Sequence, residues 1–586
     1  MRMFSQRGLP VAMAIMTCMG CGNGAPPPTT PAAPSASTPV VAAPETKEHV
    51  QKRADEFLKA YFADYSKAEK EFGLAYWAAS NSGKKEDFEK SAALELAMRK
   101  LHSEPARYEQ ITELLTHRAD LDALTARSLE VAELTFKGNQ LPSDLLEKMV
   151  KSSSEIEQLF TSYRGKLNGK EYTNNELLDK LAKSRSSKKR QEIWEALKQV
   201  GASVGPRLVA LAKIRNEAAH TLGYANYWEM QVRLQEHDPV QVLALFDQLD
   251  TMTAEPFKTM KAQLDGELAK RFEIKAERMM PWHYDNPFFQ DAPPSAKVDL
   301  DDFYKGKKKE EVVEIAKRFY ADIGLPLDAL LDKSDLYDRE GKDQHAFCIA
   351  IDREGDVRTL LNVKPDEQWM GTMLHEEGHA VYYKLLDYTL PYNLRESAHI
   401  LTTEAIAMMF GALSRNPEWM VAYAGADAEK VKKASDAIRE QRRREQLIFA
   451  RWGIVMLRFE KAMYENPEQD LNKTWWDIVE KTQLLSRPKD RNAPDWASKP
   501  HFTIAPVYYH NYLMGEVFAA QMRATLAKMA GHQGSPATLS FNGRKDFGEF
   551  LTKAIFRPGM RERWPAFVKN ATGEELTPRF FAEELK

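Results

Sequence analysis

The residues with the clearest chemistry are His375-Glu376-Glu377-Gly378-His379. Histidines at i and i+4 lie about 40° apart on one helix face, so both imidazoles reach one ion. Neutral imidazole suits Zn²⁺, and Glu376 is placed to take a proton from the attacking water. Zinc in such sites takes a third protein ligand and keeps one position open. Glu404 is the candidate. It sits in the apolar helical run Thr402 to Phe410, where an acid is costly to bury unless it is neutralised or coordinated. His375, His379 and Glu404 are therefore expected to hold one zinc ion.

Other residues extend the pattern. His345-Ala346 precedes the motif, Arg395-Glu396 precedes Glu404, and Lys499-Pro500-His501 is followed by Tyr508, Tyr509 and Tyr512. Upstream stand Arg215-Asn216-Glu217 and Leu222-Gly223-Tyr224. In these motifs and their spacing the sequence resembles the gluzincin peptidases, above all the angiotensin-converting enzyme family (peptidyl-dipeptidase A). The likeness runs from about residue 48 to the end. It implies two helical lobes around a deep cleft with zinc on its floor. It also implies release of dipeptides from the free carboxy-termini of short peptides. By the same resemblance His501 and Tyr512 donate to the oxyanion, with Tyr509 as a rival to Tyr512. His345 contacts a substrate carbonyl, Ala346 pairs with an extended peptide, and Lys499 with Tyr508 binds the terminal carboxylate.

The departures from the family are specific. Met408 stands where the family has an Asp behind the zinc ligands, so another group must orient the histidines. Tyr284, in Trp282-His283-Tyr284, replaces a glutamine of the carboxylate clamp. Asn511 replaces a chloride-binding arginine, which makes chloride activation doubtful. The form Tyr-Tyr-x-x-Tyr-Leu-x-x-Glu-Val-Phe is also similar to thimet-type oligopeptidases. A thimet-type endo-oligopeptidase and an inactive peptide-binding lipoprotein on the same fold are the alternatives.

These residues need a scaffold, and the pattern around them is helical. Lys47 to Ala68, Ser143 to Leu167 and Asp238 to Glu255 repeat apolar residues at three and four spacing. The motif predicts a helix over Asp366 to Lys384, opening at Pro365-Asp366. The exception is Ala346 to Ile351 and Val357 to Val363, two β-prone runs around Asp352-Arg353-Glu354-Gly355, which predict a hairpin. The fold class is thus mainly α with one small sheet beside the motif, as a single catalytic body over residues 48–586. Cys348 reads as a buried structural thiol, Trp282 and His283 as packing aromatics, and Lys307 to Lys309 as a solvated loop. His399 reads as a core or surface histidine, with a bond to the ligand shell as the other choice.

Composition narrows the partners. The formal net charge of the 586 residues is −3, with no global basic excess, which argues against nucleic acid as the main partner. Mean hydropathy is −0.52, and no run of about 18 apolar residues occurs, which excludes a polytopic membrane protein. Three cysteines exclude a disulfide scaffold. The front end differs from the rest. Arg2 and Arg7 precede the short apolar run Leu9 to Gly20, the pattern of an export signal over residues 1–20. Cys18-Met19-Gly20-Cys21-Gly22 resembles a bacterial lipoprotein cleavage site, with Cys21 as the lipidated residue. Seven prolines between Ala25 and Pro44 make residues 21–47 a tether. The expected location is periplasmic or at the outer membrane, held by lipid alone.

Overall fold

The computed structural model describes residues 46–294 and 298–586. The proposed signal, Cys21 and most of the tether lie outside the described residues. Helices dominate, and the site hairpin falls within the two β-prone runs. Phe347–Ala350 pairs antiparallel with Val357–Leu360, in the register Phe347 to Leu360 and Ala350 to Val357.

Three short helices form the centre. The motif helix Glu367–Lys384 packs on the ligand helix Ile400–Gly411, which packs in turn on the tyrosine helix Tyr509–Ala530. Each is buried nearly all round, and the burial takes in the polar site residues His375, Glu376, His379 and Glu404. Asp366 starts the motif helix by accepting the Trp369 N–H at 2.8 Å, as its sequence position predicts. Around this centre run longer amphipathic helices, among them Lys47–Ser82, Pro239–Phe272 and Ala428–Glu465. The first helix carries a separate small core built on Phe57, Leu58, Tyr61, Leu114 and Phe136. It also covers the hairpin, with Tyr76 and Trp77 against Phe347, Ile349 and Leu360.

Two expected elements differ. The run Ser143 to Leu167 is not one helix. It ends at Ser162, and Gly165–Leu167 becomes a strand paired with Lys170–Tyr172. The turn is Asn168-Gly169, both residues at positive φ (52° and 77°), a hairpin signal that ends the helical run before it. The helix that starts at Asp238 does not stop before Pro256 but continues to Phe272. Phe257, Met260, Leu264 and Leu268 resume the buried face beyond the proline. That packing outweighs the cost of about 3 kcal/mol for proline inside a helix. Lys309 opens a helix rather than lying in a loop, its ammonium 4.5 Å from the Tyr337 ring centre. Among the described residues no helix is long and apolar enough to cross a membrane.

Candidate active site

The three expected ligands meet. One ligand atom each of His375, His379 and Glu404 lies within 4.8 Å of the others, and all three residues are buried. The two Nε2 atoms are 3.2 Å apart, and His375 Nε2 is 3.9 Å from Glu404 Oε2. This approach needs closely packed helices. A Cβ on Gly378, inside the motif, would sit 3.0 Å from the Ala407 Cα, and one on Gly515 would sit 3.3 Å from the Glu404 Cβ. Glycine at these points lets the ligand helix lie against its neighbours on both sides.

The donor set fits a cation. Burial pushes His375 down to about 4 and His379 well below the usual range, so both rings are neutral. His375 bonds the backbone of Ala407, where the carbonyl only accepts, and this places its proton away from Nε2. The His379 Nδ1 pairs with Thr403 Oγ1 at 2.7 Å. Two neutral imidazoles whose Nε2 atoms face each other beside a buried carboxylate are a donor set that a metal ion satisfies. Thr403 and the Ala407 carbonyl thus do the orienting that an Asp at Met408 would have done. Met408 itself is buried among apolar groups. Thr403 had a signal in the sequence, a hydroxyl beside the third ligand, but only helix packing aims it at His379.

Glu376 is 2% exposed, and its Oε2 has no hydrogen-bond partner among the described residues. Burial, then Glu404 and Glu377, push its carboxyl up, while a bond from the Cys348 N–H opposes them. That bond fixes the direction of the hairpin. The Cys348 N–H faces outward, away from Val357–Leu360, and N–H groups two residues apart point the same way. Ala346 directly precedes this strand and is half-buried against the core. His345 stands just before it, 62% exposed, with Asp343 accepting its N–H at 2.9 Å. Glu377 points away from Glu376 toward the sheet, accepting from the Thr359 hydroxyl at 2.8 Å.

Tyr512 stands between the other two tyrosines, its ring centre 5.2 Å from that of Tyr508 and 5.4 Å from that of Tyr509. Tyr508 and Tyr512 stack edge to face, and Glu404 helps burial push both hydroxyls up. The Tyr508 hydroxyl has no hydrogen-bond partner among the described residues. Tyr509 turns the other way. Its hydroxyl accepts the Trp452 Nε1–H at 2.7 Å, and its ring lies 5.6 Å from the Lys499 ammonium and 5.2 Å from the His501 ring. The tyrosine beside Lys499 is thus Tyr509, whereas the resemblance alone had paired Lys499 with Tyr508.

Lys499 is buried and donates to Gln290 Oε1 at 2.6 Å. Burial lowers its ammonium to about 7, against the pull of Asp291. A glutamine thus does stand beside Lys499, but it is Gln290 of Phe288-Phe289-Gln290 and not the residue at position 284. The aromatic-x-Gln spacing was visible in the sequence, six residues beyond the position compared. Tyr284 is occupied elsewhere, its hydroxyl accepting from Lys261 at 2.6 Å and donating to Asp265 at 2.7 Å. His283 is a packing residue bonded to Ser187, and Trp282 packs on Trp194. His399 is buried and caps the ligand helix, bonding the Gln235 carbonyl through Nε2 at 2.7 Å. Asn511 donates to Gln235 Oε1 at 2.7 Å and accepts from His237 Nε2 at 2.9 Å, so its amide is bonded at both ends. Cys348 lies on the hairpin strand, half-buried, and is in no disulfide.

A buried pair of neutral imidazoles and a carboxylate, with an acid on the motif helix beside them, is the site architecture of the His-Glu-x-x-His zinc peptidases. The chain belongs to the angiotensin-converting enzyme family, peptidase M2, whose profile matches residues 48–578. It is also similar to carboxypeptidase 1 of Bacillus subtilis (strain 168), at 24% identity over 323 residues. That match covers 49% of this chain and 60% of the relative, so the chain spans less than two thirds of the relative's length.

Proposed function

We propose that the chain is a zinc-dependent peptidase that removes dipeptides from the free carboxy-termini of short peptides. The observation that carries this reading is the buried Lys499–Gln290 pair, flanked by Tyr509, on the same segment that brings Tyr512 to Glu404. A buried cation with a polar partner suits one carboxylate, and Lys499 is linked to the ligand trio through the Tyr509 and Tyr512 rings, 5.4 Å apart, which supports recognition a short distance from a peptide's end.

His375, His379 and Glu404 hold the ion, which when bound supplies a Lewis acid that polarises a carbonyl and acidifies water. The substrate backbone pairs with the open edge at Ala346, and His345 meets one of its carbonyls. Glu376 takes the proton of the attacking water and delivers it to the leaving amine. Tyr512 and His501 donate to the developing oxyanion. Lys499, Gln290 and Tyr509 hold the terminal carboxylate. A deep cleft between two lobes, as the family likeness implies, admits short peptides and excludes folded ones.

The test is a defined decapeptide incubated with the purified chain, with and without chelator, and the products identified by mass. Carboxy-terminal dipeptides that vanish with chelator support the reading. Internal fragments favour thimet-type endo-oligopeptidase cutting, and no cleavage favours an inactive peptide-binding protein. We further propose export through residues 1–20, lipidation at Cys21 and tethering by residues 21–47. Fatty-acid labelling that persists in Cys21→Ala would overturn the lipid assignment.

A further inference from the structure

Val507 has φ +53°. A β-branched residue in the left-handed region is an outlier that persists only where its surroundings over-determine it. Here both sides of the residue are held by side chains from distant helices. The Val507 N–H donates to Glu460 Oε1 at 2.8 Å, and the Val507 carbonyl accepts from Gln235 Nε2 at 2.9 Å. Glu460 is 3% exposed, and burial raises its carboxyl to about 8. Gln235 is itself a node, since its Oε1 accepts from Asn511 and its backbone carbonyl bonds His399 at the start of the ligand helix.

The other end of the same segment is held as well. Arg215, 2% exposed, donates to the carbonyls of Phe502 and Thr503 at 2.7 and 2.9 Å and to the Tyr464 hydroxyl at 2.9 Å. The chain from His501 to Val507 is thus fastened just after His501 and just before Tyr508. Between those fastenings the backbone turns from one site residue toward three others.

We infer that Glu460 and Gln235 are positioning residues, which hold Val507 in its left-handed conformation and so set where Tyr508, Tyr509 and Tyr512 stand against Glu404 and Lys499. The kinetic part of this inference rests on the peptidase reading above; the conformational part does not. A donor misplaced by about 1 Å costs on the order of 100-fold in rate, and the loss falls on kcat because the oxyanion contacts are made in the transition state.

The test compares Glu460→Leu, Glu460→Gln and Glu460→Leu combined with Val507→Gly, each as the full chain. Peptide-level hydrogen exchange over residues 505–512, zinc content, kcat and KM are measured. Glu460→Leu is expected to keep zinc, to raise exchange in this segment, and to lower kcat at least ~10-fold with a smaller change in KM. Glu460→Gln retains the acceptor and is expected to restore exchange and most of kcat. Glycine adopts positive φ freely, so Val507→Gly is expected to recover part of the kcat lost in Glu460→Leu. Unchanged exchange in Glu460→Leu, or Glu460→Gln as damaged as Glu460→Leu, overturns the inference. Should Glu460→Leu not fold, Gln235→Leu is read in its place by the same exchange and kinetic measurements. If the wild-type chain cleaves no peptide, the peptidase reading fails while the exchange data still decide the positioning role.

Discussion

Lys499 and Gln290, 209 residues apart in sequence, join side chains at 2.6 Å inside the molecule. The hydrogen bond gives a buried lysine, ordinarily an expensive group, a polar partner, and in the proposed function the pair receives the substrate's terminal carboxylate. Lys499→Ala is expected to cost peptides with a free carboxy-terminus roughly 10- to 100-fold in kcat/KM, the range of a charged hydrogen bond. Carboxy-amidated peptides should be nearly unaffected. Equal harm to both substrates, measured side by side, would refute the clamp.

The same residue predicts a pH dependence. With its ammonium lowered to about 7, Lys499 is charged below that pH and neutral above it. Because kcat/KM reports the free enzyme, the advantage of free-carboxylate over amidated substrate should fall as pH rises through about 7. The ratio of the two kcat/KM values from pH 6 to 9 checks this. A flat ratio contradicts it.

Glu376→Gln is expected to keep zinc and to lose about 10²- to 10⁴-fold in kcat, the usual contribution of a positioned general base. Metal content by atomic absorption and single-turnover rates separate the two effects. Full activity would remove Glu376 from the proton-transfer role.

His379→Ala and Glu404→Ala should lose bound zinc, and Thr403→Val should weaken zinc roughly 10- to 100-fold while leaving it able to bind. Competition with a chromophoric chelator measures all three. A Thr403→Val protein with wild-type affinity would show that another group orients His379.

Gly378→Ala gains helix propensity worth ~1 kcal/mol, yet its methyl would lie 3.0 Å from the Ala407 Cα. Overpacking of this kind costs about 1–3 kcal/mol, so net destabilisation and weaker zinc binding are expected. Urea unfolding with and without zinc reads both.

How much of this was legible follows from the range of each interaction. The zinc motif, the Asp366 cap and the site hairpin depend on residues a few positions apart, and the sequence predicts them directly. Glu404 was legible because an acid in an apolar run demands an explanation. The Asn168-Gly169 turn carried a readable local signal that a helical pattern obscured.

Other features rest on contacts between segments remote in sequence. Which tyrosine faces Glu404 and which faces Lys499 depends on where the backbone turns at Val507, held by Glu460 and Gln235. The orienting partner of His379 depends on how closely Gly378 lets two helices approach. The glutamine partner of Lys499 depends on the segment Phe288 to Gln290 folding back onto that lysine. The sequence by itself determined the chemistry, because ligand type and local spacing are written in the chain. Only the tertiary structure decided which side chains aim that chemistry, because left-handed backbone, helix approach and hydrogen bonds across hundreds of residues exist only once the core has packed.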